Sequence, residues 1–231
     1  MSEAAPSGFA AFATLMRREI LVELRTRSLL ASMGLFALLE VVVVGLGFRA
    51  LPDDETLRRA VPAVLWVCML FAAVVGINRS ALADRDKNLH AAFLILPFDP
   101  AIVYVTRLCA SFFFLCIVEA AMLAAAVPLL RLEIPREPWM LAVLALTNVS
   151  VLGAGVLLAS ATAHAKASEA LLVILLLPVV TVVFLGATGA TDAFASGLGF
   201  EAAQGHVLLL CICGAMFPGL GILLYGKLHE G

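Results

Sequence analysis

Two carboxylates lie inside strongly apolar stretches of the sequence, and they are its clearest candidates for chemistry. Glu40 lies within LLEVV and Glu119 within IVEAA. A carboxylate inside the hydrocarbon of a membrane is costly. If these stretches cross a membrane, each acid should face the interior of a helix bundle or a water-filled cavity rather than lipid. Two roles remain open. The acids either line a substrate or proton path, or they are protonated acids that hydrogen-bond between helices.

The other reactive residue types do not assemble into a recognisable site. The segment from Gly221 to Leu228 imitates a phosphate-binding P-loop, but Leu228 stands where that motif needs Ser or Thr. The four histidines are scattered along the chain, and the five cysteines fall in apolar stretches, where thiols behave as small apolar residues. We therefore predict no metal site, no disulfide framework and no enzyme activity of the chain's own.

Composition indicates whether water or membrane lipid surrounds these residues. Hydrophobic residues make up 63% of the 231 residues, charged residues only 14%, and the mean hydropathy is +1.07. A helix needs roughly 20 mostly apolar residues to cross about 30 Å of hydrocarbon. Six stretches are long and apolar enough, at about 28–48, 61–77, 101–130, 139–162, 169–190 and 206–226. We predict an all-α polytopic membrane protein with a single transmembrane domain over residues 1–231.

Basic residues predict the orientation. With the N-terminus inside, the inner segments hold nine Lys and Arg residues and the outer loops hold five, and cytoplasmic loops are expected to be richer in these residues. The inner set is Arg17, Arg18, Arg25, Arg27, Arg79, Arg85, Lys87, Lys166 and Lys227, and the outer set is Arg49, Arg58, Arg59, Arg131 and Arg136. Both termini are therefore expected in the cytoplasm. The net charge of -2 and the dispersed basic residues give no sign of nucleic-acid binding.

Residues 9–27, before the first span, are predicted to form a helix along the membrane surface. Apolar side chains recur there at three- and four-residue steps, with arginines toward the other side. Glu19 and Glu23 project from the apolar sector, so we expect them at its wet margin or paired with basic residues elsewhere. The alternative is an ordinary cytoplasmic lead-in helix.

The longest inner connection carries a charged stretch. Residues 79–88 are charged and helical in pattern, and an apolar helical stretch then ends before Pro97. Such an element, lying on the cytoplasmic membrane face, can dock a partner through its charged residues. A solvated connecting loop is the alternative.

The order of these parts resembles an ABC-2-type transporter permease and, more closely, the CcmB family, haem-exporter protein B. The resemblance extends from about Phe12 to Tyr225. Its most specific stretches are residues 18–25, residues 62–67, Arg79 through Pro97, and Leu177-Pro178 with residues 187–193. The sequence departs from the family pattern at Asn78, Lys87-Asn88 and Val182.

The resemblance implies a function and a set of partners. It implies a permease subunit in the bacterial inner membrane that acts in cytochrome c biogenesis, by haem export or by ATP-driven release of a haem-loaded chaperone. The implied partners are a separate cytoplasmic ATPase that binds the ATP, a second copy of this chain, haem-handling membrane proteins and membrane lipids. The chain itself is expected to bind no cofactor, with haem as a candidate cargo.

The resemblance also implies roles for particular residues. The coupling segment, residues 79–97, would receive the movement of the ATPase through Arg79, Asp84, Arg85, Asp86, Leu94 and Pro97. Family-signature structural positions are Glu19, Pro62, Trp66 and Pro178.

Two other functions remain open at this stage. A general ABC-2 exporter of lipid, glycan or drug would share everything except the signatures at residues 62–66 and in the fifth span. A proton-coupled secondary transporter would use Glu40 and Glu119, but it would need internal repeats, which the sequence does not show.

Overall fold

The computed structural model describes residues 8–48, 54–86, 99–130, 137–163, 165 and 167–228, and these form an all-helical bundle without strands. Seven helices follow one another: α1 Gly8–Thr26, α2 Ser28–Phe48, α3 Asp54–Asp86, α4 Pro100–Leu130, α5 Trp139–Ala161, α6 Ser168–Ala195 and α7 Gly199–Leu224. Six of them contain a stretch long and apolar enough to cross a membrane, in α3 the stretch Ala60–Ala81. The predicted all-α fold with six spans is confirmed.

Successive spans run in opposite directions, which gives the bundle two distinct ends. We call the end that carries α1 the α1 end. The starts of α2, α4 and α6 lie there, together with the last turns of α3, α5 and α7, because residues from these helix ends lie next to one another. The basic residues predict that the α1 end faces the cytoplasm, and this orientation stays a prediction.

A sharp corner joins α1 to α2. Arg27, the residue between them, has a φ of 52°, and the carboxylate of Glu23 accepts a hydrogen bond of 2.8 Å from the backbone N–H of Leu30 in the first turn of α2. Free N–H groups at a helix start attract a carboxylate. The prediction for Glu23 was therefore wrong: the residue is buried, not at a wet margin, and within the described residues its carboxylate caps a helix start and pairs with no basic residue.

Two predicted helix boundaries need correction. We predicted that the fifth span ends at about residue 190 and that the sixth begins at about residue 206, but α6 continues to Ala195 and α7 begins at Gly199. Alanine is the best helix former, so the Ala-rich sequence extends both helices. The chain reverses within a few residues because Gly197 and Gly199 adopt φ values of 69° and 74°, which glycine accepts without steric cost.

Helix α5 is the most buried span, and small residues let its neighbours approach it closely. The α-carbon of Gly155 faces Ile77 of α3, and that of Gly153 faces Pro218 of α7. A side chain at either position would meet its neighbour at less than normal van der Waals separation. The close approach of α3, α5 and α7 therefore depends on these glycines.

Tyr104 of α4 contacts both α5 and α7 near the α1 end. Its side chain is fully buried, and its hydroxyl donates a hydrogen bond of 2.9 Å to the backbone carbonyl of Gly153 in α5. Its ring lies 5.5 Å from that of Tyr225 and covers Gly221 of α7, leaving no space for a β-carbon there. The glycine of the apparent P-loop is thus a packing residue.

Gly221→Ala should destabilise the bundle because the new methyl group must displace the Tyr104 ring. Overpacking of this kind costs roughly 1–3 kcal/mol. Gly219→Ala is the matched control, since a β-carbon at Gly219 meets no atom within 4 Å. Thermal unfolding in detergent should give a lower midpoint for Gly221→Ala than for Gly219→Ala, and equal midpoints would contradict this packing.

Candidate functional site

The charged end of α3 is anchored to the first turns of α2. Nε of Arg79 donates a hydrogen bond of 3.2 Å to the hydroxyl of Ser32, which itself donates to the carbonyl of Ser28 at 2.7 Å. Arg79 is exposed, and α3 continues beyond it to Asp86, past the end of its membrane-crossing stretch at Ala81. A charged helix end thus extends from the α1 end of the bundle.

This geometry changes one boundary of the predicted coupling segment. Its charged part is helical, as predicted, but residues 79–86 continue the second span, which we expected to end at residue 77. Neither Gly nor Pro interrupts residues 77–86, and good helix formers such as Ala81 and Ala83 favour continuation. The side chains of Asp84, Arg85 and Asp86 and all of Leu94 and Pro97 lie outside the described part of the chain, so their coupling role stays a prediction.

Glu119 lies in the interior of the bundle. Its side chain is 1% exposed, and its Oε2 accepts a hydrogen bond of 2.6 Å from Nδ2 of Asn148 in α5. Its Oε1 and the hydroxyl of Thr147, both buried, make no hydrogen bond within the described residues. The inward orientation that the sequence predicted for Glu119 is confirmed, and the acid joins α4 to α5.

Glu40 occupies a different position. It lies beside the buried stripe of α2, which consists of Met33, Ala37, Val41 and Gly45 at four-residue spacing. The residue is half-buried, and its Oε2 is enclosed without a hydrogen-bond partner among the described residues. No hydrogen bond between Glu40 and Glu119 is present in that part of the chain. The two acids therefore do not form one hydrogen-bonded pair.

Two of the signature stretches meet in the interior. Nε1 of the buried Trp66 in α3 donates a hydrogen bond of 3.0 Å to the hydroxyl of Thr191 in α6, and this hydroxyl donates to the carbonyl of Ala187 at 2.7 Å. The stretch at residues 62–67 thus contacts the stretch at residues 187–193. Trp66 therefore links two spans through a directional bond.

The remaining signature positions are dispersed over three helices. Pro62 lies half-buried inside α3, and Pro178 is exposed inside α6. Glu19 is half-buried on α1. These three residues therefore do not converge on one site.

Sequence reasoning missed the partners of the buried polar groups. Asn148 and Thr147 lie in an apolar span, where a polar residue is itself a signal of a functional or interhelical contact. That signal was available but was not used. Within the described residues, no group of three or more His, Cys, Asp or Glu could hold a metal ion.

The fold defines the class: a polytopic α-helical membrane protein whose N-terminal helix packs at one end of six spans. A comparison with family models matches residues 10–218 to the family described as CcmB protein. The chain belongs to the CcmB family, whose members are ABC transporter permease subunits of cytochrome c maturation and haem transport. A search among curated proteins gave no match.

Asn148→Ala should destabilise the protein because Glu119 would lose its hydrogen bond while remaining buried. The expected loss is about 1–2 kcal/mol. Thr147→Val is the matched control on the same turn of α5: it removes a hydroxyl without a hydrogen bond in the described structure, so stability should be unchanged or higher.

Glu119→Gln tests the same pair from the other side. Its amide oxygen can still accept from Asn148, so it should retain more stability than Glu119→Leu, which cannot. The measurement is thermal unfolding of the purified variants in detergent. A stability loss for Thr147→Val as large as that for Asn148→Ala would refute the assignment of the hydrogen bond.

Proposed function

We propose that this chain is the transmembrane subunit of an ABC transporter of cytochrome c maturation, driven by a separate cytoplasmic ATPase. The observation that carries this proposal is the family match over residues 10–218. The shape of α3 supports it, because its charged end leaves the bundle where a cytoplasmic partner can reach it. The complex lies in the bacterial inner membrane, with both termini of this chain in the cytoplasm.

Helix α3 supplies a route for movement. Its 33 residues form one continuous helix of about 50 Å, at 1.5 Å per residue. A push on its charged end reaches α2 through the Arg79–Ser32 bond and α6 through the Trp66–Thr191 bond. Closure of two ATPase subunits on ATP would shift the spans between inward- and outward-biased arrangements.

The division of labour follows from this arrangement. ATP binds and is hydrolysed on the partner subunit, and this chain contributes the membrane path and the mechanical response. A second copy of the chain and the haem-handling membrane proteins complete the assembly, with haem as the cargo or as the ligand of the chaperone that is released. The single transmembrane domain, residues 1–231, binds no cofactor in this scheme.

The alternatives are less well supported. The contact between Trp66 and Thr191 joins two stretches that distinguish the CcmB pattern from general ABC-2 exporters, so it favours cytochrome c maturation. A secondary transporter would not need a charged helix end beyond the membrane. Haem-protein assembly that continues after deletion of every partner ATPase would favour the secondary transporter.

Reversing the charges of Asp84, Arg85 and Asp86 together tests the coupling. The expected result is a fall of roughly tenfold or more in both ATPase co-purification and c-type cytochrome assembly, since interface charges of this kind are worth several kcal/mol. The abundance of the variant in the membrane should not change, because these residues lie beyond the membrane-crossing stretch of α3.

Arg17→Glu is the matched control, a charge reversal on an exposed residue of α1 at the same end of the bundle and outside the family-specific residues 18–25. It should leave ATPase association and cytochrome assembly near the level of the unaltered protein. Full ATPase association and full cytochrome assembly in the triple variant would show that the charged end of α3 is not the coupling element.

A further inference from the structure

A polar cleft lies between three spans at the α1 end, apart from the residues assigned above. The cleft has a cavity volume of about 30 Å³ and opens to the outside of the bundle. Its polar lining consists of Ser80 from α3, Arg107 and Ser111 from α4 and Ser160 from α5, and its apolar lining of Ile77, Ala81, Val156, Ala159 and Ala163. Among the lining side chains that the structure describes, one is cationic and none is acidic.

The position of the cleft restricts what can enter it. Eight of the nine lining residues belong to membrane-crossing stretches, and only Ala163 follows the end of α5. Arg107 comes seven residues after Pro100, so it lies about 10 Å along α4 from the helix start at 1.5 Å per residue. The cleft thus lies near the depth at which a membrane changes from headgroups to hydrocarbon.

The chemistry of the lining favours an oxyanion. A guanidinium carries five N–H donors in a planar fork that matches phosphate, so an interaction within the protein is compatible with a second partner. Ser80 and Ser111 bring hydroxyls to the same space, whereas the hydroxyl of Ser160 donates to the carbonyl of Val156 at 3.2 Å. A cationic fork flanked by hydroxyls is the donor set that phosphate oxygens prefer.

The size of the cleft fits a phosphate that enters only partly. A cavity needs roughly 10–15 Å³ to hold one buried water, so this cleft takes two or three water-sized groups. The oxygens of one phosphate can occupy that space while the rest of the molecule extends through the open mouth. A phosphate ester therefore fits as well as a free ion.

We propose that Arg107, with Ser80 and Ser111, binds a phosphate group at the α1 end, supplied by a phospholipid headgroup or by free phosphate. The location within the membrane-crossing stretches favours the headgroup over a carboxylate of a protein partner, which would have to enter between the spans. The bound phosphate links α3, α4 and α5 below the charged end of α3. This site is independent of the proposed ATPase coupling and of the haem-handling role.

Native mass spectrometry of the full chain in detergent, titrated with phosphatidylglycerol, tests the site. Arg107→Gln should weaken the tightest lipid-binding event by roughly ten- to hundredfold, the value of one charge-assisted hydrogen-bond set. Arg107→Lys should lose less lipid affinity than Arg107→Gln, because lysine keeps the positive charge but not the planar set of N–H donors. Lys227→Gln, which removes an exposed cation at the same end, is the matched control and should bind lipid as the unaltered protein does.

A second titration with inorganic phosphate identifies the source. Binding of phosphate alone, lost in Arg107→Gln, assigns the site to the free ion, whereas lipid binding without it assigns the site to the headgroup. Equal lipid and phosphate binding by Arg107→Gln and the unaltered protein would overturn the proposal. Unchanged lipid binding with loss of ATPase co-purification would also overturn it, in favour of a protein contact.

Ser111→Leu keeps the test decisive if Arg107→Gln does not accumulate. The larger side chain fills the cleft without changing its charge, so it should weaken binding of the same ligand at least tenfold. Retention of full binding by a folded Ser111→Leu protein would contradict a ligand in this space.

Discussion

The need to pair every backbone N–H and C=O group inside hydrocarbon governs this structure. An unpaired backbone group in lipid costs several kcal/mol, so the chain crosses the membrane only as complete helices. This constraint accounts for continuous helices where the sequence contains proline, as in α3 at Pro62 and α6 at Pro178. It also places the tight reversal, at Gly197 and Gly199, at the junction between two spans. The functional groups are then arranged by how these helices pack.

Packing between spans has little hydrophobic driving force, because lipid is as apolar as a leucine side chain. Directional contacts therefore set how the spans lie against one another. Glu119 joins α4 to α5 through Asn148, and Trp66 joins α3 to α6 through Thr191. Close approach of helices at glycine residues also determines how the spans pack. In the proposed mechanism, a few polar bonds of this kind hold one arrangement of the spans and leave another accessible when the ATPase moves α3.

The sequence predicts the spans and the α1 helix well because hydrophobic length and periodicity are local properties. It also predicts that Glu119 faces inward, since the cost of a carboxylate in lipid does not depend on the fold. It does not predict the capping role of Glu23 or the cleft at Arg107, because each depends on which helices become neighbours. The helix-forming residues of the sequence favour the continuation of α3 to Asp86. We instead predicted a separate surface helix there, so the end of the second span was placed too early.

The proposed function requires that six helices cross the bilayer with the α1 end in the cytoplasm. The direct measurement is labelling of single cysteines, placed at Arg85 and Glu201 in a variant without native cysteines, with a membrane-impermeant maleimide. Glu201 is exposed at the start of α7, at the end opposite α1. We expect the reagent to label position 201 in intact cells with a permeable outer membrane, and to label position 85 only after the inner membrane is opened. Labelling of both positions from the same side would contradict this orientation.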